Sequence, residues 1–240
     1  MQDLGVLSVT RSRHTVIAAA CAQALLAGVV VCSAATAPPT AGQPAAKRAV
    51  QLADNPAPID PSKALLKVDE VNATIRKHNP DGVQFDRPDP VETAPRDPAD
   101  YPGGAGDPCN WVAAIDFAGG QPAPVGYAAG SMGAPRQRWL IQVVANYDSP
   151  QAAAAVFART AQNIRACSAA TDRAYLLSVG AITPTTLTYR RNPNLKVDMP
   201  NRHVESSEYR LHGSTIVAVS TTEPDTVAGA AASQIESRIS

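Results

Sequence analysis

The strongest periodic signal in the chain is a strand pattern followed at once by a helix pattern, over residues 138–167. Trp139, Ile141, Val143, Ala145 and Tyr147 fall on one face of an alternating run, which is the period-two signature of a strand. Asp148-Ser149-Pro150 then makes a helix start, with Ser149 as N-cap and Pro150 at the first helical position, where its missing N–H costs nothing. Along that helix Ala153, Phe157, Ala161 and Ile164 form an apolar stripe. Cys167 falls on the same stripe at the helix end, so its thiol is predicted to point inward.

Weaker patterns fill in the rest. A helix is predicted to begin at Asp60-Pro61, to carry Leu65, Val68, Val71 and Ile75 on one face, and to stop at His78-Asn79-Pro80-Asp81-Gly82. A short strand is expected over residues 82–85. Residues 86–108 hold six acidic side chains and six prolines, and are predicted to form a long loop. Trp111, Ala113, Ile115 and Phe117 alternate as a strand, Gly119-Gly120-Gln121-Pro122 turns, residues 125–131 form a second strand, and Met132-Gly133-Ala134-Pro135 turns again. Further strands are predicted at 175–180, 185–189, 209–212 and 214–220, with Gly213 turning between the last two. A closing helix starts at Thr222-Glu223-Pro224-Asp225 and directs Val227, Ala231, Ile235 and Ile239 at the sheet. Strand runs broken by single helices predict an α+β fold, an antiparallel sheet with helices packed mainly on one face.

Composition shifts at the N-terminus change the picture. Arg11, Arg13 and His14 precede a nearly uninterrupted apolar run over residues 16–31, and small residues follow at Ser33, Ala34 and Ala35. This is the pattern of a cleaved export signal, expected over residues 1–35, with a retained signal anchor as the alternative. Cys32 is a candidate lipidation site, although Val31 stands where such sites want a small residue. Residues 36–59 are rich in Pro, Ala and polar groups without apolar period, and are expected to be a disordered linker. Residues 60–240 then form a single domain. The whole chain has 21 basic and 21 acidic side chains, a balance that argues against nucleic acid and against an electrostatic membrane surface. Attachment to a membrane is expected only through a retained anchor or a lipid.

Two of the four cysteines, Cys21 and Cys32, lie in the apolar N-terminal segment; Cys109 and Cys167 lie in the body. In an oxidising compartment the body pair is predicted to form a disulfide, with two separate buried thiols as the alternative. Loop-closure entropy values such a bond at about 4 kcal/mol.

Candidate chemistry is sparse. Beyond the leader, His78 sits at a helix stop, His203 in a polar loop and His212 at a strand end. No G-x-S-x-G elbow in a strand–turn–helix context, no H-E-x-x-H, no C-x-x-C and no phosphate-binding Gly-rich loop occurs. The acidic residues of 86–108 lack the spacing of a calcium loop, so a solvated surface is expected there. No catalytic residue, metal or cofactor is therefore assigned. A binding groove is the remaining possibility, with Trp111 and Trp139 as apolar anchors or else core residues. Residues 190–206, a second expected loop, would supply its basic wall through Arg190, Arg191 and Arg202.

Three stretches carry a resemblance to a known family. They are Trp139-Leu-Ile-Gln-Val-Val-Ala-Asn-Tyr-Asp-Ser-Pro with the Ala-rich helix ending Asn163-Ile164-Arg165-Ala166-Cys167, then Tyr209-Arg-Leu-His-Gly-Ser-Thr-Ile-Val-Ala-Val-Ser, and the final Ala-rich helix. Together they resemble the mycobacterial PknH-like extracellular sensor domains and related exported proteins. This chain has Ile164 where that family has Trp before the helix-end Cys, and its second disulfide has no counterpart. The resemblance implies an α+β domain with a groove for an envelope ligand. The expected function is an exported, non-catalytic ligand-binding or sensor-like domain of the bacterial cell envelope, whose partner is an unknown envelope ligand or protein. The alternatives are an envelope hydrolase with a scattered active site and a structural or protein-binding envelope protein.

Overall fold

The computed structural model describes residues 59–96, 108–109, 122–171, 173, 175–196 and 203–240. The expected signal segment with Cys32, nearly all of the linker, the end of the acidic loop, the predicted strand around Trp111, and Arg202 lie outside the described residues.

The centre of the sheet is β3 (Arg138–Asn146), which is largely buried on both faces. It pairs with β2 (Gly126–Ala134) on one side and β7 (Thr215–Thr221) on the other. Beyond β7 come β6 (Glu205–His212), β5 (Thr186–Pro193) and β4 (Tyr175–Ile182); the two-residue β1 (Arg87–Pro88) lies outside β2. The order is β1-β2-β3-β7-β6-β5-β4, antiparallel at every pairing. Gly213 makes the β6–β7 turn at φ 56°, a left-handed backbone that glycine adopts without cost.

Helices cover both faces unequally. Helices α1 (Pro61–Ala64), α2 (Val68–His78) and α4 (Asp225–Ile239) share one face, where Val71, Ile75, Val227, Ala231 and Ile235 bury against Leu140, Val144, Val217 and Val219. Among the described residues, α3 (Pro150–Ser168) alone lies on the other. It buries the predicted stripe of Ala153, Phe157, Ala161, Ile164 and Cys167 against Leu187, Tyr189, Tyr209, Ile216 and Ala218. The helices thus lie mainly on one face, as the pattern predicts, yet the centre of the sheet is enclosed from both sides. The Ser149 hydroxyl accepts from Ala152 N–H at 3.1 Å, the cap expected at that position. Cys109 and Cys167 are joined, with Cα atoms 4.8 Å apart across 58 residues of sequence.

Several expected boundaries move, for local reasons. The single helix expected from Asp60 is two, because the side chain of Gln142 takes both the N–H and the C=O of Leu66 and holds the chain extended there. Glu70 Oε2 then accepts from Lys67 N–H at 2.8 Å and restarts the helix. Residues 82–85 are not a strand: Phe85 instead pairs both its backbone N–H and C=O with the side-chain amide of Asn72, at 2.8 Å each. The turn expected at 132–135 falls later, because β2 continues to Ala134 and reverses through Pro135–Gln137. There Arg136 (φ 62°) and Gln137 (φ 57°) adopt consecutive left-handed conformations, the geometry of a tight hairpin without its usual Asn-Gly signal. Residues 86–96 are not a free loop. Asp86, Asp89 and Glu92 each donate a backbone N–H to β2, to the carbonyls of Gly133, Ser131 and Ala129. β5 extends to Pro193 and β6 starts at Glu205, so Arg190 and Arg191 belong to a strand rather than to the expected loop.

Candidate functional site

Among the described residues, a large concavity lies between the α1–α2 corner and the β1 side of the sheet, with a volume of about 960 Å³. That is the size of a small-molecule site, typically roughly 300–1,000 Å³. Its floor is Gly130 and Met132 of β2 with Leu65 and Leu66. Lys63, Val68 and Asn72 stand on one wall; Pro88, Asp89 and Val91 form the other. The lining is mainly apolar.

The cleft exists because polar side chains hold its walls apart. Gln142 is inward-facing on β3 and 2 % exposed; its Oε1 accepts from Leu66 N–H at 2.8 Å and its Nε2 donates to Leu66 O at 2.7 Å. Gly130 lies opposite Gln142 in the ladder, and a Cβ there would sit 3.3 Å from Leu65 Cδ1. Asn146, two pleat repeats further along the same face, donates to Ile59 O at 2.8 Å and accepts from Thr215 Oγ1 at 2.9 Å. From α4, Arg238 donates to Leu65 O at 2.7 Å and pairs with Glu70. On the far wall the Ser131 hydroxyl donates to Asp89, and beyond the cleft Arg96 binds Glu92 through two nitrogens. Most of the buried or rim polar groups are thus already satisfied, which leaves shape and apolar surface to receive a ligand. Val91, 48 % exposed, is the large apolar side chain at the rim.

The predicted groove residues are not brought together. Arg190 and Arg191 are neighbours on one strand and point to opposite faces. Arg190 grips Asp225, the first residue of α4, with Nε at 2.7 and 2.8 Å and Nη2 at 2.5 Å from its carboxylate oxygens. These bonds, with one from Ser206, hold the Asp225 carboxyl below its ordinary range. Arg191, on the α3 face, binds Glu205 at 2.5 Å and lies 4.5 Å above the Tyr175 ring. Glu205 is 5 % exposed; burial pushes its carboxyl up, and the Arg191 pair and the Tyr175 hydroxyl pull it partly back. Trp139 is half-buried at the start of β3, its main chain bonded to Thr221 and Thr222. None of Trp139, Arg190 and Arg191 lines the large cleft. Trp111 and Arg202 lie outside the described residues. The residue that sequence reasoning missed is Gln142, whose signal is a lone amide inside the apolar run of β3.

No histidine lines this cleft or the two smaller hollows near Arg190. His203 Nε2 lies 3.1 Å from Arg136 O, and His212 Nδ1 lies 3.6 Å from Glu236 on the exposed end of β6. Among the described residues, no helix is long and apolar enough to cross a membrane.

The architecture is an α+β fold, an antiparallel seven-stranded sheet with helices packed mainly on one face. It is similar to the crystal structure of the extracellular domain of PknH from Mycobacterium tuberculosis, with a TM-score of 0.53 and 15 % sequence identity. The match covers 76 % of this chain and 96 % of that domain, so the likeness is one of whole fold. No family model matches the sequence, and no curated protein matches it significantly.

Proposed function

We propose that this chain is an exported, non-catalytic ligand-binding or sensor-like domain of a bacterial cell envelope, and that the α1–α2 cleft is where its ligand binds. The single observation that carries the reading is the cleft: a mainly apolar concavity of about 960 Å³ with its amides already paired and no histidine on its walls. Such a lining recognises an apolar or amphipathic small molecule by shape; a serine-hydrolase site would pair its serine with a histidine, whereas Ser131 on this wall is bonded to the Asp89 carboxylate. The leader pattern and the Cys109–Cys167 bond support export, and the fold shared with an extracellular sensor domain supports the sensor-like role.

The test is a titration with the apolar fluorophore anilinonaphthalene sulfonate. Saturable single-site enhancement is expected. Val91→Asp, a change at a half-exposed rim position, should weaken it by about ten-fold, equivalent to about 1.4 kcal/mol. Binding that never saturates, or that ignores the rim charge, overturns the assignment of the cleft.

A further inference from the structure

A second hollow, apart from the α1–α2 cleft, lies where α2 stops and α4 begins. Asn79 and Val83 line it after α2, Arg138 at the start of β3, Val204 before β6, and Glu223 and Pro224 in the β7–α4 connection. Its volume is about 370 Å³, within the small-molecule range of roughly 300–1,000 Å³. Two charges on its walls stand without a partner of opposite sign among the described residues. Glu223 is 3 % exposed; its Oε2 accepts from Asn79 Nδ2 at 2.7 Å, and no ion pair reaches the carboxylate. Arg138 donates through Nη1 to Thr222 O at 2.6 Å and likewise forms no ion pair. That carbonyl belongs to the residue before Glu223, so guanidinium and carboxylate are held one residue apart without meeting. The neighbouring Arg190 and Asp225 are bonded to each other, and Asp81 is exposed. A buried carboxylate without a cation is costly, and proteins ordinarily pair it. The fold has no use for the charge, since a neutral amide oxygen would accept the Asn79 bond as well.

We propose that this hollow binds a free α-amino acid with an aliphatic side chain, its ammonium on Glu223 and its carboxylate on Arg138. Opposite charges fixed so close together match a ligand that carries both of its own on one short segment. Arg138 Nε and Nη2 bond to no described group, and that edge of a guanidinium takes a carboxylate through two parallel bonds. Val83, Val204 and Pro224 give the side chain an apolar wall. An analogue with only one of the two charges leaves the other wall charge unmet, so the site selects the zwitterion.

Titration of the protein expressed from the full chain with L-leucine at pH 7, followed by amide chemical shifts, tests this. Saturable shifts are expected at Asn79, Thr222 and Glu223. Isopentylamine, which is leucine without the carboxylate, and 4-methylpentanoate, which is leucine without the ammonium, should bind at least about ten-fold more weakly. Glu223→Gln keeps an oxygen for Asn79; it should lower leucine affinity to that of 4-methylpentanoate without lowering the melting temperature. Arg138→Gln should lower it to that of isopentylamine, whereas Val91→Asp in the α1–α2 cleft should leave leucine binding unchanged. Three results overturn the proposal. One is the absence of saturable shifts at these residues. Another is equal affinity for leucine and either single-charge analogue. The third is a Glu223→Gln variant that binds leucine as tightly as the parent but melts several degrees lower, which would make the carboxylate a structural group.

Discussion

The two faces of this sheet are held by different means. The α3 face is covered by one long helix, capped at Ser149, tied at its end by Cys109–Cys167 and packed on Phe157, Tyr189 and Tyr209. The opposite face is covered by three shorter helices fastened through side-chain amides: Gln142 to Leu66, Asn72 to Phe85, Asn146 to Ile59. The first arrangement is a continuous packed surface. The second is packed under α2 and α4, but its α1–α2 corner is held at fixed points, and the space left beside them is the cleft. Rigidity by packing closes a surface, whereas rigidity by isolated hydrogen bonds can leave one open.

Cutting the tie on the packed face should have the largest effect. A Cys109→Ala, Cys167→Ala double variant is expected to lose about 4 kcal/mol, mostly by freeing the 58-residue loop in the unfolded chain. Urea unfolding measures the loss, and amide exchange in α3 should accelerate before that in α2. If α2 opens first, the amide-clipped face is the weaker one and the comparison reverses.

Gln142→Leu tests the clipped face. It keeps the volume and leaves the N–H and C=O of Leu66 buried without partners, at about 1–3 kcal/mol for each group. We expect a loss of about 3 kcal/mol in urea unfolding together with loss of fluorophore binding, because Leu66 is part of the cleft floor. Gln142→Glu should be no gentler: one carboxylate oxygen still accepts from Leu66 N–H, but the other faces Leu66 O, which needs a donor. A stable Gln142→Leu variant with an intact cleft would show that α1 is held by packing after all.

The same contrast explains what could be read from the chain. The α3 face was legible because its information is periodic: the stripe from Ala153 to Cys167, the alternation through Val143 and Ala145, and the Ser149-Pro150 start all survive in the structure. The pairing of Cys167 with Cys109 followed from compartment and position. On the other face the decisive residues are single amides. Nothing about Leu65-Leu66-Lys67 announces a helix break, since the partner that breaks it lies 76 residues away. The hairpin at Arg136-Gln137 is silent for a related reason, as neither residue type advertises a left-handed backbone. Arg190 and Arg191 looked like one basic wall because sequence adjacency conceals that a strand sends neighbours to opposite faces. The expected loop boundaries then failed with them.

The smallest predicted effect distinguishes the faces by their response to alkali. The clips at Gln142, Asn146 and Asn72 are amides, which do not titrate, whereas the α3 face buries phenols. Burial pushes the Tyr147 hydroxyl from its ordinary value near 10 up to about 12, the Arg159 charge pulling slightly the other way. Tyr189 is also raised, again chiefly by burial. Below pH 10 the phenol is neutral in both the folded and the unfolded chain, so its contribution is complete there. Between pH 10 and about 12 the unfolded chain ionises while the folded one resists, and stability falls by about 1.4 kcal/mol per pH unit from Tyr147. Tyr147→Phe keeps the packing and removes this slope. At about pH 11 the variant should therefore gain about 1.4 kcal/mol relative to the parent, measured as the change in their difference from pH 8 by urea unfolding. Equal pH dependence in parent and variant would mean that water already reaches the Tyr147 hydroxyl, and that the α3 face is less tightly closed than its packing implies.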